Sequence, residues 1–372
     1  MNYVKNLDGI RGFAIVLVMF FHYDYLIEAG WVGVQLFFVL SGFLITTILL
    51  QDRQNQPLGY YLKGFYWRRT LRIFPIYYLY LLIVALVYAK FHTPEDFKLT
   101  APFLFTYTYN LFPLVYEFSF DIFFTHFWSL SIEEQFYLFW PLVVYFLTTR
   151  QLRVLLVVMI LVAPVIRFWL ANHLLDDGIS KDFTEQIVYR FTFSQWDAFA
   201  FGAAIPVFGL QASSFNPYKL LMAGMALFIG FGIFNYRMLL AEGENVGLTS
   251  FGFPLGVLNN YQHVWSYSLL SLVCTGFILI CVKYSHNIVV KSVFGNPLMV
   301  FLGKISYGLY VYHWIIWMAF GRFLKPYFSF PLLGFVCYSV ICIGVAYISY
   351  VLIEKPLLSF KNKFFHRNQI AT

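Results

Sequence analysis

Charge is scarce in this sequence. Asp, Glu, Lys and Arg make up 12% of its 372 residues, about half the share found in a soluble domain. That is too little polar surface to clothe a water-soluble globule, so a soluble fold is excluded. Cysteine is scarce as well. The four residues Cys274, Cys281, Cys337 and Cys342 all lie in apolar stretches. None sits in a Cys-x-x-Cys pair or beside a histidine at zinc-ligand spacing, so neither a disulfide framework nor a metal site is expected. The signatures GxSxG, the P-loop and HExxH are missing too. No low-complexity segment or internal repeat interrupts the chain. The first apolar run follows "MNYVKNLDGIR" without a small-residue cleavage site, so it reads as a first membrane helix and not as a signal peptide.

Apolar and aromatic residues are abundant, at 60% and 22%. Runs of about 20 mostly apolar residues recur along nearly the whole chain, the mark of a polytopic helical membrane protein. Spans are predicted near 7–27, 31–50, 74–92, 132–148, 154–172, 190–208, 218–236, 263–282, 304–321 and 332–353. The connection 51–73 holds Arg53, Lys63, Arg68, Arg69 and Arg72, and "TTRQLR" holds Arg150 and Arg153. The positive-inside rule places both in the cytoplasm. Segment 99–116 carries Pro102 and Pro113 and reads as re-entrant or surface-lying. The result is an all-α bundle of about ten spans with both termini cytoplasmic; eleven is the competing count. Lys283, Lys291 and the tail with Lys355, Lys361, Lys363 and Arg367 fall inside. The acidic group Asp176, Asp177, Asp182 and Glu185 falls outside, as do Arg322 and Lys325 against the rule. The net charge of +7 is accounted for by these connections, so nucleic acid is not an expected partner.

Ionisable residues inside spans are the functional candidates. Arg11 and His22 are eleven residues apart, which is three helical turns plus about 20°, so they share a face at depths about 16 Å apart. Asp8 sits one turn before Arg11 and can pair with it. Arg69 and Arg72, at i,i+3, suit either a positive-inside anchor or a bidentate clamp on phosphate. In "HFWSLSIEEQFYLFWP", Glu133 and Glu134 enter an aromatic span, and only one of them need face the interior. A carboxylate there orients a histidine or holds a proton; alternatively it complements the helix N-terminus, with Ser129 or Ser131 as the cap. Ser306, Tyr310 and His313 fall on related faces of one helix and are read as lining a polar cavity, or as packing residues. Asp197 lies within a predicted span with no assigned role, and Ser41 has no sequence companion that marks it as a nucleophile.

These fragments in this order resemble the acyltransferase-3 family of integral membrane acyltransferases. "LDGIRGFAIVLVMFFH" is similar to its Arg-x10-His opening and "GVQLFFVLSGFLIT" to its second helix. "RRTLRIFPIYYL" is similar to its Arg-x-x-Arg followed by Pro. "HFWSLSIEEQFYLFWPL", "LGKISYGLYVYHW" and "EKPL" match further motifs. "QWDAF" departs from the Arg-Asp pattern expected there. The resemblance implies ten core helices in the bacterial inner membrane and an acyl-CoA donor, usually acetyl-CoA. It implies an acceptor hydroxyl on an exported or lipid-linked glycan such as O-antigen or lipopolysaccharide. Arg11 and His22 become the central pair, Arg69 and Arg72 the donor contacts, and Glu133 a support. Some members carry an extra helix and a soluble esterase-like domain; residues 1–372 are expected to form a single membrane domain without either. Two mechanisms stay open, namely His22 as general base for direct attack and a covalent acyl-histidine relay. The rival reading is a transporter or flippase for a lipid-linked glycan, in which the buried ionisable residues mark a pathway.

Overall fold

The computed structural model describes residues 4–91, 97–116, 122–244, 246–255 and 258–359, and every regular element among them is helical. Helix α1 (Lys5–His22) leads through a turn to α2 (Val32–Asn55) and then to α3 (Leu58–Phe91). Two short helices follow, α4 (Phe97–Phe105) and α5 (Phe112–Tyr116), before α6 (Phe127–Phe146) and α7 (Thr149–Asp176). Next come α8 (Lys181–Arg190), α9 (Trp196–Val207), α10 (Pro217–Ala241) and α11 (Gln262–Lys283). The chain closes with α12 (Ile288–Phe294), α13 (Pro297–Lys304), α14 (Ser306–Phe323) and α15 (Pro331–Ser349), the last extended by a π-helical turn, Tyr350–Glu354.

Local chemistry explains several boundaries. Thr148 and Gln151 form a reciprocal capping box at the start of α7, at 3.3 and 2.9 Å. Asn296 caps α13 by accepting from the Met299 N–H at 2.9 Å, with Pro297 at the first helical position. Six helical stretches are long and apolar enough to cross a membrane: 28–55, 58–90, 149–176, 217–241, 259–283 and 331–359. Large apolar side chains such as Leu86, Val165, Trp169, Phe234 and Val340 stand exposed on them, an arrangement that suits lipid as the solvent. The chain is an integral membrane protein. Helices α1, α6, α9 and α14 are not among the six. Helix α9 is too short, and the other three carry polar and charged residues that lower their hydropathy.

The interior is organised by backbone-to-backbone approach. A Cβ on Gly202 of α9 would lie 1.9 Å from the Val39 carbonyl oxygen of α2, and one on Gly42 of α2 would lie 2.1 Å from that of Phe199. On the other flank, a Cβ on Gly303 would lie 1.8 Å from the Asp8 carbonyl oxygen. Helix α1 is thereby pressed against α13, and α2 against α9. These contacts fix the helices that carry Arg11, Ser41 and His22.

Several boundaries differ from the sequence expectation. Residues 51–73 are almost wholly helical, because Pro57 alone breaks the run; Lys63, Arg68, Arg69 and Arg72 therefore lie on α3 and not in a connection. Helix α1 stops at His22, because Asp24 and Tyr25 adopt left-handed φ of 48° and 53°. His22 is thus a helix-end residue and not a mid-span one. The stretch 190–208 is no continuous span. The extended Phe191 interrupts it, leaving α9 with 12 residues, about 18 Å of rise against a hydrocarbon core of about 30 Å. Segment 99–116 forms the two short helices α4 and α5 around its prolines. Glu185, expected at an outer surface, is buried and accepts from the Tyr267 hydroxyl at 3.2 Å. The tail's Lys361, Lys363 and Arg367 lie outside the described residues.

Candidate active site

Helices α1, α2, α3, α6 and α14 close on a cavity of about 90 Å³. Arg11, Arg69 and Arg72 enter it from α1 and α3, Glu133 and Glu134 from α6, and Ser306 and Tyr310 from α14. The other arginines of the basic cluster are engaged elsewhere. Arg53 donates to the Val144 and Leu147 carbonyls at the end of α6, at 2.6 and 2.9 Å. Arg68 pairs with Asp52 at 2.6 Å. Arg69 and Arg72 are left facing the cavity. The Arg69 guanidinium lies 5.2 Å from the Tyr137 ring centre, within cation–π range. Arg11 pairs with Asp8 at 2.6 Å, as their i,i+3 spacing allows.

Both adjacent carboxylates line the cavity, although only one was required to by helical geometry. Glu133 Oε1 accepts from the Tyr137 hydroxyl at 2.5 Å and from the Ser41 hydroxyl of α2. Ser41 thus has a companion after all, a carboxylate more than ninety residues away. Glu134 Oε1 is buried with no hydrogen-bond partner. Ser129 and Ser131 do not cap α6. Ser129 donates to the His126 carbonyl at 3.2 Å and Ser131 to that of Phe127 at 3.1 Å, one turn back within the chain. Glu133 and Glu134 lie beyond the first turn of α6, so the helix N-terminus does not account for them.

At the Arg11 end the cavity adjoins a vestibule of about 350 Å³. Arg11 and Arg72 line both spaces, and Lys304 and Glu354 add to the vestibule wall. At the other end lies a chamber of about 50 Å³ with His22, His126, Thr125 and Arg190 in its wall. Tyr310 and Val34 line both the cavity and the chamber and form the partition between them. The Tyr310 hydroxyl donates to the His126 carbonyl at 3.0 Å and contacts the Ser129 hydroxyl. Vestibule, cavity and chamber therefore follow one another along α1 from Arg11 to His22.

His313 does not line the cavity beside Ser306 and Tyr310 as expected. It is fully buried behind His22, with its Nε2 2.8 Å from His22 Nδ1 and the ring centres 4.9 Å apart. Asp197 takes no part in these spaces. It is locked in a buried ion pair with Arg167 of α7 at 2.5 Å, and Ser268 of α11 donates to the same oxygen. The arginine missing from "QWDAF" is thus supplied by another helix. His126, Arg190, Tyr137 and Lys304 were not singled out as site residues. His126 and Lys304 stand inside motifs quoted for other residues, and Arg190 and Arg167 are cations embedded in apolar or aromatic sequence, which was a usable signal. Among the described residues no group of three or more His, Cys, Asp or Glu is arranged to hold a metal ion.

This is an integral membrane protein with a cavity, lined by polar and apolar side chains, that adjoins a vestibule of mixed charge at one end and a histidine chamber at the other. The chain belongs to the acyltransferase-3 family, whose acyltransferase domain matches residues 4–351. Among curated relatives, the peptidoglycan O-acetyltransferase OatA of Listeria monocytogenes is 40% identical over 151 residues, covering 38% of this chain and 24% of that protein. The O-acetyltransferase OatA of Staphylococcus aureus is 26% identical over 375 residues, covering 96% of this chain and 57% of that protein. A putative O-acetyltransferase of S. aureus strain COL is similar to the same degree over 384 residues. The chain thus spans little more than half the length of the Staphylococcus proteins. No solved structure gives a significant match.

Proposed function

We propose that this protein is an O-acyltransferase that moves an acyl group, acetyl in the first instance, from acyl-CoA to a hydroxyl of a cell-surface glycan. One observation carries the reading. A phosphate-suited cluster of guanidinium groups and a base-capable histidine sit at opposite ends of three adjoining spaces that follow one another along α1. Arg72, Lys304 and Arg11 suit the phosphates of the donor, since guanidinium forks bind phosphate oxygens in pairs. Arg69 suits the next stretch of the donor, which places the thioester towards Tyr310 and His22. Glu133, held by two hydroxyls, keeps the cavity wall in register. Residues 1–372 act as a single membrane-embedded unit in a bacterial cytoplasmic membrane, with the vestibule and both termini on the cytoplasmic side.

In direct transfer, His22 takes the proton from the acceptor hydroxyl as its oxygen bonds to the thioester carbonyl carbon. The carbon–sulfur bond then breaks, and the departing CoA thiolate recovers that proton from His22. Arg190, in the same chamber wall, suits stabilisation of the oxyanion between those steps. The name of the Listeria relative points to peptidoglycan as an acceptor, and O-antigen-type glycans are the second candidate class. The deciding experiment incubates purified protein in proteoliposomes with radiolabelled acetyl-CoA and each glycan. Label in a base-labile ester on the glycan is the expected result. Movement of glycan across the bilayer without covalent change overturns the reading in favour of a transporter.

A further inference from the structure

The histidine chamber carries information about protons as well as positions. His313 Nδ1 lies 2.6 Å from the Tyr310 carbonyl oxygen. A carbonyl oxygen only accepts, so this nitrogen bears the proton. In the neutral ring, Nε2 of His313 is then a bare lone pair, and it faces His22 Nδ1 at 2.8 Å. That contact is a hydrogen bond when His22 carries its own proton on Nδ1. The arrangement leaves His22 Nε2 unprotonated. The other groups around the pair agree with neutral imidazoles. Arg190 already places a cation in the chamber, no carboxylate among the described residues lines it, and Trp314 meets the His22 ring edge-on. His126 donates from Nε2 to the Val311 carbonyl at 3.1 Å, so it does not compete for His313 Nε2.

We propose that His313 is a positioning residue. It orients the His22 ring and fixes its tautomer, so that Nε2 is the atom that accepts the acceptor's proton. This rests on the reading of His22 as the base. When His22 takes that proton, its Nδ1–H already donates to His313, so the imidazolium forms without reorientation of either ring. The backbone behind His313 is braced as well, because the Tyr338 hydroxyl of α15 donates to the His313 carbonyl at 3.1 Å.

The test has two arms. The first reads the unmodified full-length protein, labelled with 15N-histidine in lipid bilayers, by solid-state NMR, with His22→Gln subtracted to assign the His22 signals. A protonated Nδ1 with a bare Nε2 on His22 is the expected result, and the opposite tautomer overturns the proposal. The second compares His313→Gln, whose side-chain oxygen reaches as far as the lost Nε2, with His313→Phe, which keeps a ring without an acceptor. Turnover should fall about 100-fold or more in the Phe variant, the scale of a lost general base. It should stay within about tenfold of the parent in the Gln variant, with the KM for acetyl-CoA unchanged in both. A Phe variant as active as the parent, or a Gln variant no better than Phe, overturns the proposal. Full activity of His22→Ala would instead remove the base reading itself, whereas the NMR result judges the tautomer independently of turnover.

Discussion

Four arginines in the first third of the chain look alike in sequence and do different work. Arg53 closes the end of α6 and Arg68 answers Asp52, whereas Arg69 and Arg72 turn into the cavity. Arg69→Ala or Arg72→Ala is expected to weaken acetyl-CoA binding about 10-fold to 150-fold, the loss of a charge-assisted hydrogen bond. Arg68→Ala, at a partly exposed ion pair, should leave that affinity within about threefold. Equilibrium binding of radiolabelled acetyl-CoA to the detergent-solubilised proteins separates the two cases, and equal losses in all three would sink the assignment. For His22→Ala, glycan O-acetylation read by mass spectrometry should drop about 100-fold or more at unchanged protein level.

At the scale of the helix, the crossing of α2 and α9 rests on Gly42 and Gly202, whose neighbours are backbone atoms that cannot swing aside. Gly202→Val is expected to cost at least about 1–3 kcal/mol, visible as a lowered midpoint of thermal unfolding in detergent. Gly230→Ala, on α10 with open space around it, should leave the midpoint nearly unchanged. What the sequence revealed follows the same local logic. The pairing of Arg11 with Asp8 and the i,i+3 spacing of Arg69 and Arg72 were legible, because one helical period sets both; that the two arginines sit on a helix facing a cavity was not, since they were read into a connection. The meeting of His22 with His313 was not, since 291 residues separate them and only the packing of α1 against α14 joins them. Nor was the end of α1 at His22, which depends on two left-handed residues that are neither glycine nor asparagine. Hydropathy blurred the break at Phe191, because an extended aromatic residue scores as apolar as a helical one. Glu134 was legible as a candidate beside Glu133; that both face the cavity was not, since a cavity wide enough for several side chains accepts neighbours about 100° apart on the same helix.

Across the whole molecule, α7, α9 and α11 are tied by Arg167, Asp197 and Ser268, none of which lines the three spaces. Removing one charge strands the other, so Asp197→Ala is expected to cost about 3–5 kcal/mol. Arg167→Met combined with Asp197→Leu should recover most of that loss in the same unfolding measurement. A recovery would mark the pair as a registry device and not as part of the chemistry. The partition formed by Tyr310 has a different reach. A donor held at one end and an acceptor at the other require a path through the protein, yet the bilayer around it must keep its electrical insulation. Tyr310 and Val34 are the side chains that line both the cavity and the chamber and so stand between them. Proteoliposomes carrying Tyr310→Ala are expected to dissipate a pH gradient faster than those carrying the parent protein; an unchanged leak would show that this side chain only bounds the reaction space.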